Sequence, residues 1–291
     1  MKNLPLIFAS LILAMPAFAA ESALKLAGSD VLGPVVSKDI SALCKAANIG
    51  VKIDMRGTYM AYKALNDGTA DAAIIALPKK AKLPADLAAF PLAYQAAVVI
   101  VNSVNPIDEI STQQLTNIYA ANAKARAESW AQIGVRDVSL RGIMAVTTSF
   151  SDNIVIELFK AEALGGANLG SWVNMVSSQQ DILNIIKTNN SAIAVVGKAK
   201  DSDMVKVLPV SEPIKGKSYA YRPDIESISN GDYPISLPFY IVCKKKNLQK
   251  AKGLMKILLD DKIAATLENS QFFAAPENSR KKSIFELDIV K

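Results

Sequence analysis

Three times along this 291-residue chain a short apolar strand runs into a loop of small hydroxyl residues and out into a helix. The first case is LKLAGSDVLGPVVSKDIS at residues 24–41. Ser29 and Asp30 follow the turn at Gly28, and Val31, Leu32, Val35 and Val36 then recur at helical spacing. The second is VKIDMRGTYMAYKAL, with Arg56, Gly57 and Thr58 at the join. The third is IMAVTTSFSDNIVIELF, where Thr147, Thr148, Ser149, Phe150, Ser151 and Asp152 make the join. Strands alternating with helices in this way favour a mostly parallel sheet covered on its faces. Each loop also opens on a helix N-terminus, whose unpaired N–H groups and partial positive charge suit an anion. A Ser, Thr or Asp in such a place is in the first instance a helix cap. Three such joins in one chain point further, to a shared binding site.

The length allows about two domains of ordinary size. Lys2, the apolar run at 4–15 and Ala17-Phe18-Ala19 have the three parts of a secretory signal, so residues 1–19 are expected to be removed on export. That apolar run is too short to span a bilayer, and no later stretch reaches the roughly 20 residues required. A periplasmic protein is therefore expected. The net charge of +6 falls by one when Lys2 leaves, and the remaining lysines are scattered. With no aromatic residues interleaved among them, nucleic acid is not an expected partner; the charge suits a field that attracts anions.

Histidine is absent, which removes Ser-His-Asp and Cys-His catalysis and most zinc or copper chemistry in one step. Cys44 and Cys243 are the two cysteines. In an oxidising compartment they make either a disulfide or a pair of buried thiols. No metal and no cofactor are expected. Asp30, Asp152 and Glu157 have carboxylates suited to acid–base work, but no spacing sets two of them at one bond. No enzyme is expected.

In chain order, strands are expected at 24–27, 51–55 and 71–77, with helices from the first loop to about residue 47 and at 58–66. A long apolar strand at 90–102 leads out of the first lobe. The second lobe holds a helix capped by Ser111 or Thr112, a strand at 138–146, and a helix at 153–163. A helix at 179–187 capped by Ser177 or Ser178 follows, and then a strand at 192–196. A strand at 235–243 returns to the first lobe, with helices at 248–259 and 262–269 behind it. The expected division is 1–19 leader, 20–102 first lobe, 103–235 second lobe and 236–291 first lobe again.

The order of these motifs resembles the phosphate-binding component of bacterial ABC importers, a family of two-lobed type II periplasmic binding proteins. The matching phrases are Leu26-Ala27-Gly28-Ser29, Gly57-Thr58, Leu65-Asn66-Asp67-Gly68-Thr69-Ala70-Asp71 and Pro91-Leu92-Ala93-Tyr94. Further on come Asn105-Pro106 with Leu115-Thr116-Asn117-Ile118-Tyr119 before Trp130, Ala192-Ile193-Ala194-Val195-Val196-Gly197, and Tyr233-Pro234-Ile235-Ser236-Leu237-Pro238-Phe239. The resemblance covers nearly the whole mature chain. It implies two α/β lobes joined by two crossing strands, a ligand cleft between them, and a monomer that delivers phosphate or a related oxyanion to an inner-membrane permease.

The resemblance, taken together with substitutes for the family residues this chain lacks, gives an expected ligand set of Ser29, Asp30, Arg56, Thr58, Thr148, Ser149, Phe150 and Ser151. Phe150 stands where the family has a glycine, Ala76 where it has an Asp, Ala145 where it has an Arg, and Asp30 where it usually has a Thr. Asp30 is either a cap or a substitute acceptor for a ligand proton. Arg56 is either a surface charge or a substitute cation with a bidentate grip. Phe150 either narrows the space for an anion or stacks on a flatter organic one. The alternative to oxyanion capture is a homologue that has lost the small ligand and serves as an interaction protein.

Overall fold

A strand covered on both faces has no polar alternation, and the runs at 96–101 and 192–196 are buried throughout. The computed structural model describes residues 23–79, 81–140, 142–149, 154–214 and 217–289. The expected leader lies outside them, as do Phe150 and Ser151. The first lobe begins with β1 (Leu24–Gly28), α1 (Gly33–Ala46), β2 (Val51–Asp54), α2 (Thr58–Asn66), β3 (Ala72–Ala76) and β4 (Leu87–Ala96). The chain then enters the second lobe with β5 (Val98–Asn102), β6 (Ile110–Ser111), α3 (Thr112–Tyr119), β7 (Met144–Thr148) and α4 (Ile154–Ala163). The lobe continues through β8 (Asn174–Val176), α5 (Gln179–Thr188), β9 (Ala192–Val196), β10 (Val205–Val207), β11 (Val210–Ile214), β12 (Lys217–Tyr221) and α6 (Ile225–Asn230). The return is made by β13 (Ser236–Lys244), α7 (Leu248–Leu258), α8 (Asp261–Glu268), β14 (Phe273–Ala274) and α9 (Glu277–Ile289).

The first-lobe sheet runs β14-β4-β13-β3-β1-β2, with β1 parallel to both β2 and β3. The second-lobe sheet runs β10-β5-β9-β7-β8, with β7 parallel to β8 and β9. A third, small sheet joins β12, β11 and β6. Ligands of open α/β sheets sit beyond the carboxyl ends of the parallel strands. In this chain those ends are the loops after β1, β2 and β3 in one lobe and after β7, β8 and β9 in the other.

Two crossings join the lobes. Ala96 still pairs with Ser236 in the first sheet, whereas Val98 pairs with Val196 in the second, so the chain changes sheet at Ala97. Residues 98–102, assigned to the first lobe from sequence, therefore form β5 of the second. No Gly or Pro lies between Leu92 and Asn102 to mark the break, and an apolar run reads the same in either sheet. The two crossings are bonded together. Ala97 N–H donates to Ile235 O (3.0 Å), and the hydroxyl of Tyr233, itself fully buried, donates to Ala97 O (2.8 Å).

Each lobe has its own core. In the second, Tyr119 and Phe159 meet edge to face at 5.1 Å between centroids, and buried Trp130 donates from Nε1 to Ser191 O (3.1 Å). In the first, Leu32, Val36, Ile40 and Cys44 line one stripe of α1 and pack with Leu254, Met255 and Leu258 of α7. Cys44 and Cys243 are both buried free thiols. The strand expected at 138–146 is corrected to β7, which begins at Met144. Ahead of it Asp137 accepts both the N–H and the hydroxyl of Ser139 (2.7 Å each), a local turn that competes with strand pairing, and Val138 is fully exposed. Among the described residues no helix is long and apolar enough to cross a membrane.

Candidate functional site

The start of α2 rests on a backbone conformation that glycine alone takes easily: Gly57 has φ 111° and ψ 156°. This turn makes Thr58 the first helical residue. Thr58 Oγ1 accepts the N–H of Ala76 (3.0 Å), which ties the helix start to the end of β3 and leaves the hydroxyl proton available to another acceptor. The N–H of Gly57 goes to Gly28 O, and that of Ala61 to Gly57 O. The amides of Thr58, Tyr59 and Met60 have no acceptor among the described residues, as expected at a helix start. Asp30 lies over this point, since a Cβ added to Gly57 would meet its Oδ1 at 3.7 Å.

The start of α1 offers less. Pro34 has no N–H, while Gly33 N–H donates to Ser29 O and Val35 N–H to Leu32 O. Neither Ser29 nor Asp30 is the N-cap; Leu32 holds that position with no side-chain bond. Ser29 is buried, its N–H bonded to Ile74 O (2.9 Å) and its Oγ accepting the N–H of Val31 (3.3 Å). Asp30 Oδ1 accepts the same N–H (3.1 Å). Arg56 is turned to Asp54, two residues back at the end of β2, with Nε 2.7 Å from Oδ1 and Nη2 2.5 Å from Oδ2. With 66% of its side chain exposed, it lies on the surface.

In the second lobe the ends of β7, β8 and β9 open on a cavity of about 290 Å³ lined by Thr148, Ser149, Ser177, Ser178, Gly197 and, from the first lobe, Gln271. Ser178 caps α5, accepting the N–H of Asp181 (3.2 Å) and donating to Asp181 Oδ2 (2.7 Å). The amides of Gln179 and Gln180, at the first two helical positions, are left without acceptors among the described residues. Among those residues no Lys, Arg, Asp or Glu lines the cavity. Thr147, the residue before Thr148, is buried, and its hydroxyl has no partner among the described residues.

The expected residues thus fall into two groups. Asp30 and Thr58 gather with Gly57 and Ala76 in one lobe, and Thr148 and Ser149 line the cavity in the other; Asp30 and Thr58 do not line that cavity. Sequence reasoning missed Gln271 and Lys198. Lys198 Nζ crosses the interlobe gap to Glu268 Oε2 (2.5 Å), Phe272 O (2.9 Å) and Glu268 O (3.1 Å). Beside the crossings, Lys79 Nζ donates to the carbonyls of Gly231 (3.2 Å), Tyr233 and Pro234 (3.1 Å). Burial pulls the Lys79 ammonium below its usual pKa, against the opposing pull of Glu162, Glu212 and Asp232. A larger groove of about 700 Å³ is also lined by both lobes, but its Arg222 and Arg280 are paired with Asp201 and Asp261.

Residues 16–262 match a family described as the PBP superfamily domain. Among curated relatives, the phosphate-binding protein PstS of Staphylococcus saprophyticus is 24% identical over 276 residues, 90% of this chain and 83% of its own. Its namesake in Pseudomonas aeruginosa is 24% identical over 268 residues, 83% of this chain and 79% of its own. Protein SphX of Synechococcus elongatus is 23% identical over 214 residues, 70% of this chain and 62% of its own length. Among solved structures, a possible phosphate binding protein from Planctomyces limnophilus superposes with a TM-score of 0.72 at 19% identity, covering 93% of this chain and 99% of that one. PstS from Borrelia burgdorferi superposes with a TM-score of 0.71 at 17% identity, covering 88% and 100%. These superpositions show a shared two-lobed α/β fold. With a family match running through most of its length, the chain belongs to the PBP superfamily.

Proposed function

We propose that this chain is a periplasmic solute-binding protein that captures phosphate or a related oxyanion between its lobes and delivers it to the permease of an ABC importer. The observation that carries this reading is the pair of neutral donor sets at the carboxyl ends of parallel strands in opposite lobes. One set is the Thr58 hydroxyl with the amides at 58–60; the other is the cavity of Thr148 and Ser149 with the amides that open α5. Donors of this kind hold an anion without a counter-charge. Asp30, beside the start of α2, is the acceptor for a proton on the ligand. Ser29 builds the turn that carries it, Phe150 and Ser151 extend the second-lobe loop in sequence, and Arg56 joins only by leaving Asp54. The relatives named as phosphate-binding proteins support the same reading. No reaction is proposed, and the working unit is a monomer.

Isothermal titration of the purified protein with phosphate, sulfate and arsenate tests this. Saturable heat with at least one of them, at one ligand per chain, is expected; no heat at millimolar concentrations contradicts it. A second reading, a homologue that has lost its small ligand, is favoured by particular residues. Ala76 and Ala145 stand where the resemblance implies a carboxylate and a guanidinium, and Arg56 is engaged with Asp54. That reading predicts silence with all three anions.

A further inference from the structure

Among the described residues lining the cavity at the ends of β7, β8 and β9, only Gln271, in the turn between α8 and β14, comes from the first lobe. Its approach is supported on several sides. A Cβ at Gly197 would lie 2.9 Å from Gln271 Oε1 and 3.0 Å from Val155 Cγ2, so the missing side chain there makes room for the amide. The backbone is held at Gln271 itself and at the residue after it: Gln95 Nε2 donates to Gln271 O (2.9 Å), and Lys198 Nζ donates to Phe272 O (2.9 Å). Glu268 completes the clamp, taking Lys198 on Oε2 and the N–H of Ala274 on Oε1 (2.7 Å). Gln95 is fully buried, and its Oε1 has no partner among the described residues. Leaving that atom unpaired is costly, a cost accounted for if the N–H end of the amide is required where it is. The Gln271 amide, by contrast, is exposed and makes no hydrogen bond among the described residues.

We infer that Gln271 is a further first-lobe contact, beside the Thr58 set, to the oxyanion gripped between the lobes, and that Gln95, Lys198 and Gly197 position it. The inference rests on the capture function proposed above. A carboxamide donates N–H to an unprotonated oxygen and accepts from a protonated one, so it recognises a tetrahedral oxyanion in either state without adding charge. Because the residue arrives from the opposite lobe, ligand contact and lobe closure become one event.

Phosphate titrations of the full mature chain test the inference. Gln271→Ala is expected to weaken binding about 10- to 150-fold, the loss of one hydrogen bond to a charged group, and Gln271→Glu at least as much, through repulsion. Lys198→Met should weaken binding in the wild-type background but by less than about twofold once Gln271 is Ala, with Lys198→Arg restoring most of the loss. An affinity within twofold of wild type for Gln271→Ala overturns the contact. An equal loss from Lys198→Met in both backgrounds overturns the positioning role. Absence of wild-type heat with any of the three anions overturns the capture reading itself, a result distinct from either.

Discussion

Asp71 sets the terms at the scale of single residues. Its Oδ2 accepts the N–H of Lys25 (2.8 Å), and its Oδ1 pairs with Lys250 Nζ (2.6 Å). Burial pushes its pKa up, but the bonds to Lys250 and to the Lys25 backbone outweigh that and hold it below the usual carboxylate range. Stability from a depressed carboxylate is complete above the unfolded value near pH 4 and is lost as pH falls through the folded one. Asp71→Asn is therefore expected to cost about 1–3 kcal/mol at pH 7. Urea unfolding at pH 7, 5 and 3 should show that penalty shrinking at the acid end; a penalty independent of pH contradicts the assignment. Burial also raises the pKa of both thiols, that of Cys243 to about 11 with Asp71 adding its negative charge. A thiol reagent at pH 8 should find none in the native protein and two per chain in denaturant. A disulfide would show as none in either. At this scale the sequence was a partial guide. Thr58 and Ser149 could be named as candidates because a hydroxyl at a strand-to-helix join leaves a local pattern. Gln271 leaves none, since its place at the cavity depends on Lys198, which bonds to the neighbouring Phe272 from 74 residues away. Arg56 has two readings from sequence, a surface charge or a substitute cation, and a carboxylate two residues back holds it at the surface.

At the scale of elements, the start of α2 carries the argument. Gly57→Ala puts a side chain at φ 111° and is expected to cost about 1–3 kcal/mol, read as a lowered melting temperature. It should also weaken anion binding, because Thr58 and the amides behind it shift with the turn. A variant as stable as wild type would show that the turn is not as described. The bounds of α2 and β9 were legible because local chemistry fixes both ends: Gly57 and the Asp67-Gly68 turn for the helix, the stop at Gly197 for the strand. The division between β4 and β5 was not, since which sheet a buried apolar run joins is decided by distant partners, Ser236 on one side and Val196 on the other. The three-residue strand β10 has a run too brief to carry a period.

At the scale of the molecule, two cores and two bonded crossings make a pair of lobes, while Lys198 and Lys79 bridge them with charge-assisted bonds to the opposite side. The existence of two lobes was legible in the alternation of strands and helices. How they meet was not: the bridges join residues 70 and 155 positions apart, and nothing in their own neighbourhoods announces them. The account turns on both lobes gripping one anion. Its most direct test is phosphate titration calorimetry of the wild type beside Thr58→Ala and Ser149→Ala, one hydroxyl from each lobe. The account predicts one phosphate per wild-type chain and a loss of about 1–3 kcal/mol of binding free energy in each variant. Unchanged affinity in both variants, or no binding by the wild type, would contradict it.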